Sequence, residues 1–197
     1  SPTLQYLEGM NYGVIPIVGS GKTFKSGTLY SLFEYVSSFR RRDKAFLRFS
    51  GLEHFPPGYG YRVDDIWDCE PDSILVVEDA NRLFPSRASA RSSDLQEFLG
   101  IISHKDIVIV LTIQNTANSD VAWFRDQDSV SIYKRMNPAS VVFERPEIAS
   151  YCADANAYMG DFCKATGADW HLVSYVPRFH EVMYLDTPPE WYGWAQS

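Results

Sequence analysis

The sequence lacks the features that mark membrane-spanning, disulfide-bonded and metal-cluster proteins. No apolar run reaches the ~18 residues of a transmembrane helix, and no basic segment followed by an apolar one, as in a secretory signal, opens the chain. The three cysteines (Cys69, Cys152 and Cys163) are odd in number and have no C-x-x-C spacing. They indicate reduced thiols rather than a disulfide frame or a zinc site. The four histidines are dispersed, which predicts surface or packed residues rather than metal ligands.

Internal repeats and low-complexity segments are also missing, and positive charge is scarce. The net charge of −7 argues against a protein coated in basic surface, although a local basic patch stays compatible with it. A length of 197 residues, with 45% hydrophobic and 22% charged residues, is typical of one globular domain. We expect a single domain over 1–197, with a core over about 10–145 and an extension over about 146–197.

A glycine-rich stretch, residues 16–23 (Pro-Ile-Val-Gly-Ser-Gly-Lys-Thr), follows the apolar run 14–18 and precedes a segment with helical periodicity. A strand, a glycine-rich turn with Lys-Thr and a helix form the context of a phosphate-binding loop. Glycines reach backbone angles that other residues avoid, so backbone N–H groups can wrap a polyphosphate. The helix N-terminus adds partial positive charge. The nucleotide-binding residues expected here are Gly19, Ser20, Gly21, Lys22, Thr23 and Phe24, with Lys22 on the β- and γ-phosphates and Thr23 on Mg²⁺.

Two alternatives remain open for this stretch. Pro16 stands where the pattern G-x-x-x-x-G-K-[ST] has its first glycine. A second alignment moves the loop forward, so that Lys25 and Ser26 hold the phosphate, but it lacks the Gly-Lys order. An ordinary Gly/Ser-rich turn is the other alternative.

Two carboxylates follow the apolar run Ser73–Val77, which predicts a buried parallel strand. Glu78 and Asp79 would then lie in the crevice where open α/β sheets bind ligands. We expect Glu78 to hold Mg²⁺ and Asp79 to polarise the attacking water. Alone, such a pair is more often a helix cap; the glycine-rich loop about fifty residues upstream favours the catalytic interpretation.

A polar amide ends the next apolar run, residues 106–115, which predicts another buried strand. Gln114 at that position can hydrogen-bond both an attacking water and a γ-phosphate. A turn signal is the simpler interpretation. The segment 24–39 is predicted as an amphipathic helix. The alternation over 129–135 predicts a strand at a sheet edge, with 141–143 as its extension. Further on, Pro146–Ala165 is predicted as a helix and Asp169–Leu185 as a strand pair bent at 176–179.

The order of these elements resembles that of ASCE-type P-loop ATPases. Within that division, the stretch from Ile74 to Arg135 is similar to the zonula-occludens-toxin (Zot) domain of filamentous phage assembly proteins, relatives of the FtsK/HerA motors and of viral genome-packaging ATPases. The matching segments are Val76-Val77-Glu78-Asp79-Ala80, Leu83-Phe84-Pro85-Ser86-Arg87, Ile109–Gln114 and Arg125. This chain has Glu-Asp where the family has Asp-Glu.

The resemblance implies a RecA-like α/β fold: a mostly parallel sheet flanked by helices, with a C-terminal β-hairpin extension. It implies an ATPase that uses ATP and Mg²⁺, with Lys22, Glu78, Asp79 and Gln114 in the catalytic site. Arg125, or else Arg87, would be the arginine finger of a neighbouring subunit. A trans finger requires a homo-oligomeric ring, a hexamer or pentamer. The expected partners are DNA and viral capsid or phage assembly proteins, in the host cytoplasm, in a virion or at the inner face of a membrane.

The function predicted from the sequence is therefore an ATP-hydrolysing motor that moves DNA in viral genome packaging or phage extrusion. A nucleotide-binding switch or assembly scaffold is the alternative, because Asp79 is one methylene shorter than the family's glutamate. A small-molecule kinase is disfavoured, since the arginines after Gln114 are dispersed and form no evident lid.

Overall fold

The computed structural model describes residues 1–47, 58–80, 89–114, 122–125, 128–185 and 189–190. Eight strands lie in these ranges: β1 (Gly13–Val18), β2 (Asp43–Leu47), β3 (Tyr61–Val63), β4 (Ser73–Val77), β5 (Val108–Ile113), β6 (Ile132–Tyr133), β7 (Val173–Val176) and β8 (Glu181–Tyr184). The helices are α1 (Pro2–Glu8), α2 (Lys25–Tyr35), α3 (Ser37–Arg41), α4 (Ser89–Lys105), α5 (Ala122–Arg125), α6 (Pro138–Val141) and α7 (Pro146–Thr166).

The strands form one sheet in the order β3-β2-β4-β5-β1-β6-β7-β8. Pairing is parallel from β3 across to β6, and β7 and β8 add to β6 as an antiparallel hairpin. The carboxyl ends of β1, β4, β5 and β6 therefore lie at the same edge. This is the edge at which open α/β sheets bind ligands.

Alternate residues of the central strands pack into two different cores. On one face, Ile15, Ile17 and Val110 lie in a cluster with residues of α2 and α3. On the other face, Val14 and Leu111 lie in a cluster with residues of α4. Because both faces are covered, β1, β4 and β5 are buried along their whole length and mostly apolar, as parallel strands buried on both sides are.

The predicted α/β RecA-like fold with a C-terminal hairpin is confirmed. The helix predicted at 146–165 is α7, and the bent strand pair is β7 and β8, joined by a 3-10 turn at Pro177–Phe179. A third core cluster holds α7 against β7, so the extension packs on the sheet that carries the site. No helix in the described ranges is long and apolar enough to cross a membrane.

Three local predictions were wrong. The helix predicted over 24–39 is interrupted at Val36, whose backbone is extended, so α2 and α3 are separate. The segment 129–135 was expected at a sheet edge, but β6 lies between β1 and β7. Residues 141–143 do not extend β6: Val141 ends α6, whose first turn is capped by the Asn137 side chain.

Candidate functional site

The glycine-rich loop begins later than the sequence pattern suggested. Pro16 lies inside β1, in register with Leu111 of β5, so it is a strand residue and not the first residue of the loop. The loop runs over 19–24, and α2 begins at Lys25 with Phe24 as its N-cap residue. Lys25 and Ser26 therefore occupy the first turn of the helix, whereas Lys22 and Thr23 lie in the loop.

This placement fits the pattern G-x-x-x-x-G-K-[ST] from Gly19 to Ser26, with Phe24 in place of the second glycine. Phe24 has a left-handed backbone (φ 69°), the conformation that glycine adopts most readily. Among the described residues no side chain caps α2, and its first turn contains no acidic residue, which favours the binding of an anion at this helix start.

Neither loop glycine has an unusual backbone angle, and Gly19 acts through close packing. The positive φ values of the loop belong to Lys22 (60°) and Phe24, not to Gly19 or Gly21, which corrects the expected reason for the glycines. A Cβ on Gly19 would lie 2.6 Å from Lys134 Cβ and 2.7 Å from Thr23 Oγ1. Gly19 therefore lets the loop lie directly against β6.

Lys25 is the cation held over the loop. Its Nζ donates to the Ser20 carbonyl at 2.8 Å. Burial lowers the pKa of Lys25 because it penalises the ammonium form, and the Asp79 carboxylate opposes that shift. Lys22 is exposed and also lines the cavity in front of the loop.

The two carboxylates lie directly opposite this helix start. Glu78 is 3% exposed and accepts a hydrogen bond from the Ser26 hydroxyl. Asp79 has a left-handed backbone (φ 52°), and its N–H donates to Thr112 Oγ1 at 3.0 Å, which ties the end of β4 to β5. Thr23, the expected metal ligand, is buried and donates instead to the carbonyl of Ser20 at 2.8 Å.

These groups surround one cavity of about 500 Å³. Of the residues predicted from the sequence, it brings together Gly21, Lys22, Thr23, Phe24, Glu78, Asp79 and Gln114. Gln114 lies beside the loop, since a Cβ on Gly21 would be 3.2 Å from its Nε2. Gly19 and Ser20 form the base of the loop. Arg87 lies outside the described residues, and of Arg125 the backbone alone is described, as the last residue of α5.

Sequence reasoning missed His171, which lines the same cavity from the C-terminal extension. The backbone N–H of His171 donates to the Asp169 carboxylate at 3.0 Å, and the same carboxylate lies 2.9 Å from Nδ1 of the His171 ring. The backbone N–H contributes most to lowering the pKa of Asp169. The Trp170 ring stacks on the imidazole, with centroids 3.8 Å apart. No spacing in the sequence connects this turn to the loop; only the hairpin topology does.

The donor set fits a hydrated Mg²⁺ better than a protein-caged metal. The described ranges contain no group of three or more His, Cys, Asp or Glu side chains placed to hold a metal ion. The Ser26 hydroxyl and the Glu78 carboxylate are adjacent oxygen donors at the helix start. Mg²⁺ is commonly held by one or two such groups together with water and substrate phosphates.

A parallel sheet with this loop, these acids and this amide at its carboxyl edge defines the fold class of P-loop NTPases. Comparison with solved structures confirms the likeness to viral packaging ATPases at the level of the fold. The DNA-packaging ATPase B204 from Sulfolobus Turreted Icosahedral Virus matches with a TM-score of 0.57 and 14% identity, over 92% of this chain and 100% of that one.

The genome packaging NTPase B204 from Sulfolobus turreted icosahedral virus 2, in complex with AMPPCP, matches with a TM-score of 0.57 and 13% identity over 91% and 100% of the two chains. The N-terminal domain of zonular occludens toxin from Neisseria meningitidis gives a TM-score of 0.46 and 20% identity over 61% and 77%. No family model and no curated protein sequence matches this chain.

Proposed function

We propose that this chain binds and hydrolyses a nucleoside triphosphate, and that Lys25 rather than Lys22 contacts its phosphates. The observation that carries the proposal is the pairing of Ser26, in the first turn of α2, with the buried Glu78 at the end of β4. A buried carboxylate is costly unless it is hydrogen-bonded or binds a cation. Its position facing an uncapped helix N-terminus suits a phosphate-bound divalent cation.

Each residue around the cavity has a proposed role that follows from its position. The N–H groups of the loop and of the first turn of α2 would hold the phosphate oxygens, with the Lys25 ammonium adding positive charge. Ser26 and Glu78 would hold Mg²⁺, which supplies neutralisation of the phosphate charge that develops during transfer. Asp79 would accept a proton from, or orient, the attacking water. Gln114 would bind that water and the γ-phosphate.

The fold likeness supports the nucleotide assignment. Structures of B204 are described as complexes of a genome packaging NTPase with AMPPCP and with ATP-gammaS, and their folds extend over about nine-tenths of this chain. We extend the likeness to the finer proposal that hydrolysis moves DNA. In that proposal identical subunits form a ring, residues 1–197 act as one unit, and Arg125 or Arg87 enters the neighbouring site.

The test is a matched pair of substitutions, Lys25→Ala and Lys22→Ala. A charge-assisted hydrogen bond contributes roughly 1.5–3 kcal/mol, so we expect Lys25→Ala to weaken ATP binding by about 10- to 150-fold and to abolish turnover. We expect Lys22→Ala, at an exposed position, to keep measurable turnover. Binding is measured by calorimetry and turnover by phosphate release, with urea unfolding to show that both variants are folded.

If Lys22→Ala abolishes turnover and Lys25→Ala does not, Lys22 is the lysine that contacts the phosphates, as the sequence pattern predicts. Double-stranded DNA added to the wild-type assay separates the finer proposals. Stimulated turnover supports the motor, and tight ATP binding without turnover supports the nucleotide-dependent switch.

A further inference from the structure

We propose that a second cavity, on the β6 side of the loop, holds the nucleobase of the bound nucleotide. The inference rests on the proposed function, because it presupposes that phosphates bind at the loop. This cavity measures about 280 Å³, and its walls include Arg135, Pro138, Met159, Cys163 and Trp170. We refer to it as the base cavity.

The base cavity adjoins the phosphate loop through Ser20. The Ser20 N–H donates to the Arg135 carbonyl at 3.2 Å, and its hydroxyl accepts from the Asn137 N–H at 2.7 Å. Residues on both sides of Asn137 in the chain, Arg135 and Pro138, line the base cavity. A ligand seated on the loop therefore has the base cavity immediately beside it.

The stacked pair Trp170 and His171 connects the two cavities. Trp170 lines the base cavity and His171 lines the phosphate cavity, although they are consecutive residues in one 3-10 turn. A nucleotide whose phosphates lie at the loop could pass its sugar across this pair. Nδ1 of His171 is turned to Asp169, which leaves Nε2 for contact with the ligand.

The turn is anchored by the buried amine of Lys134. Lys134 is fully buried, and its Nζ donates to the carbonyls of His171 (2.7 Å) and Val173 (2.8 Å) and to the hydroxyl of Ser174 (3.3 Å). Lys134 also packs against Gly19 at the base of the loop. The Trp170–His171 turn and the phosphate loop are thus held to the same residue, so the two cavities keep a fixed spacing.

The chemistry of the β4 and β6 sides of the loop indicates where the phosphates and the base of the nucleotide bind. The β4 side carries Glu78 and Asp79 and suits the cation and water of phosphate transfer. The base cavity offers indole, thioether and proline surfaces, with the Arg135 guanidinium 5.1 Å from the centre of the Trp170 ring. Flat heterocycles stack on such aromatic and guanidinium surfaces. A volume just below the roughly 300–1,000 Å³ of small-molecule sites suits a single base.

The base cavity has few groups that could read the base edge. The Asn156 side chain, which also lines it, is committed to both backbone groups of Met136, at 3.0 and 2.8 Å. Strong discrimination between bases needs dedicated hydrogen-bond partners, whereas apolar contacts discriminate weakly. We therefore expect ATP and GTP to bind with affinities within about tenfold of each other.

Gly160→Leu tests the base cavity without removing a contact. Gly160 lines the cavity on α7, and a Cβ there meets no atom within 4 Å, so a leucine has room to enter it. Leucine is also the better helix former, which favours folding. Gly100→Leu is the matched control: Gly100 lies in α4, is equally open and lines neither cavity.

Binding of ATP, GTP and inorganic tripolyphosphate is measured by calorimetry for the wild type and both variants. We expect Gly160→Leu to weaken ATP and GTP by about tenfold or more, the effect of losing one stacked base, with tripolyphosphate unchanged. We expect Gly100→Leu to match the wild type throughout. The urea midpoint of each variant confirms folding.

The outcomes separate the two proposals. If Gly160→Leu is folded and binds ATP as the wild type does, or loses tripolyphosphate equally, the base cavity is refuted while nucleotide binding stands. Equal affinity of the wild type for ATP and tripolyphosphate refutes it as well. If the wild type binds none of the three ligands, the proposed function fails, and the base cavity with it.

Discussion

Gly19 and Gly21 are both glycines of the phosphate loop, yet we expect alanine to have different effects at the two positions. At Gly19 the added Cβ would lie 2.6 Å from Lys134 Cβ and 2.7 Å from Thr23 Oγ1. Lys134 is fully buried, and its Cβ is bonded directly to the backbone, so this atom cannot move aside. At Gly21 the Cβ would lie 3.2 Å from Nε2 of Gln114, the far end of an exposed side chain that can turn away.

The magnitudes follow from these contacts. Adding a carbon to a packed position that cannot relax costs roughly 1–3 kcal/mol, whereas substitutions at exposed, adaptable positions stay within about 0.5 kcal/mol. Replacing glycine also restricts the unfolded chain by about 0.4–1 kcal/mol, but this term is common to both variants and cancels in the comparison. We expect Gly19→Ala to be less stable than Gly21→Ala by roughly 1–3 kcal/mol.

Urea unfolding followed by circular dichroism measures this difference. With a denaturant slope of roughly 2 kcal/mol per molar urea, the midpoint of Gly19→Ala should lie about 0.5–1.5 M below that of Gly21→Ala. Equal midpoints would refute the claim that Gly19 is required for contact with β6. ATP affinity provides a second measurement, because a loop displaced from β6 also changes its position relative to the start of α2.

Two further predictions concern buried titratable groups. Burial lowers the pKa of Lys134 from 10.5 to about 7, so between these pH values the unfolded chain binds more protons and stability rises with pH. From pH 7 to 8.5 the wild type should gain roughly 1–2 kcal/mol over Lys134→Met in urea unfolding, and an equal pH dependence of the two would contradict the burial argument. Burial also raises the thiol pKa of Cys69 to about 11 and of Cys152 to about 12. We therefore expect iodoacetamide at pH 8 to label the half-buried Cys163 first, as measured by mass spectrometry of peptides. Faster labelling of either buried thiol would refute this prediction.

The sheet could be predicted from the sequence because its central strands are buried on both faces. The runs at 14–18, 73–77 and 106–113 are nearly all apolar, and each ends in glycine, acid or amide, so both the strands and the grouping of their ends were evident. The interruption at Val36 could not be predicted, because no glycine or proline marks it. The extended backbone there is accompanied by complete burial of the Val36 side chain, which is a tertiary effect.

The site could be predicted less fully than the fold. Glu78, Asp79 and Gln114 follow from strand ends, whereas His171 reaches the cavity only through a hairpin that joins the sheet on the far side of β6. The choice of lysine depended on where β1 ends. The Gly-Lys-Thr order at 21–23 places the pattern from Pro16 onward, whereas β1 continues to Val18 and the helix begins at Lys25, which fits a pattern that starts three residues later, at Gly19.

The pair Phe24 and Gly27 explains how the loop keeps its geometry without the usual second glycine. A left-handed backbone costs a non-glycine residue roughly 1–2 kcal/mol. At Phe24 this cost is offset by packing, since the ring contacts the core cluster that includes α2. The ring occupies the space beside Gly27, where an added Cβ would lie only 2.1 Å from Cζ of Phe24. The position that needs a glycine has thus moved from the loop to the first turn of α2. A search for Gly directly before Lys therefore finds Lys22 in the loop, although Lys25 and Ser26 lie where the helix begins.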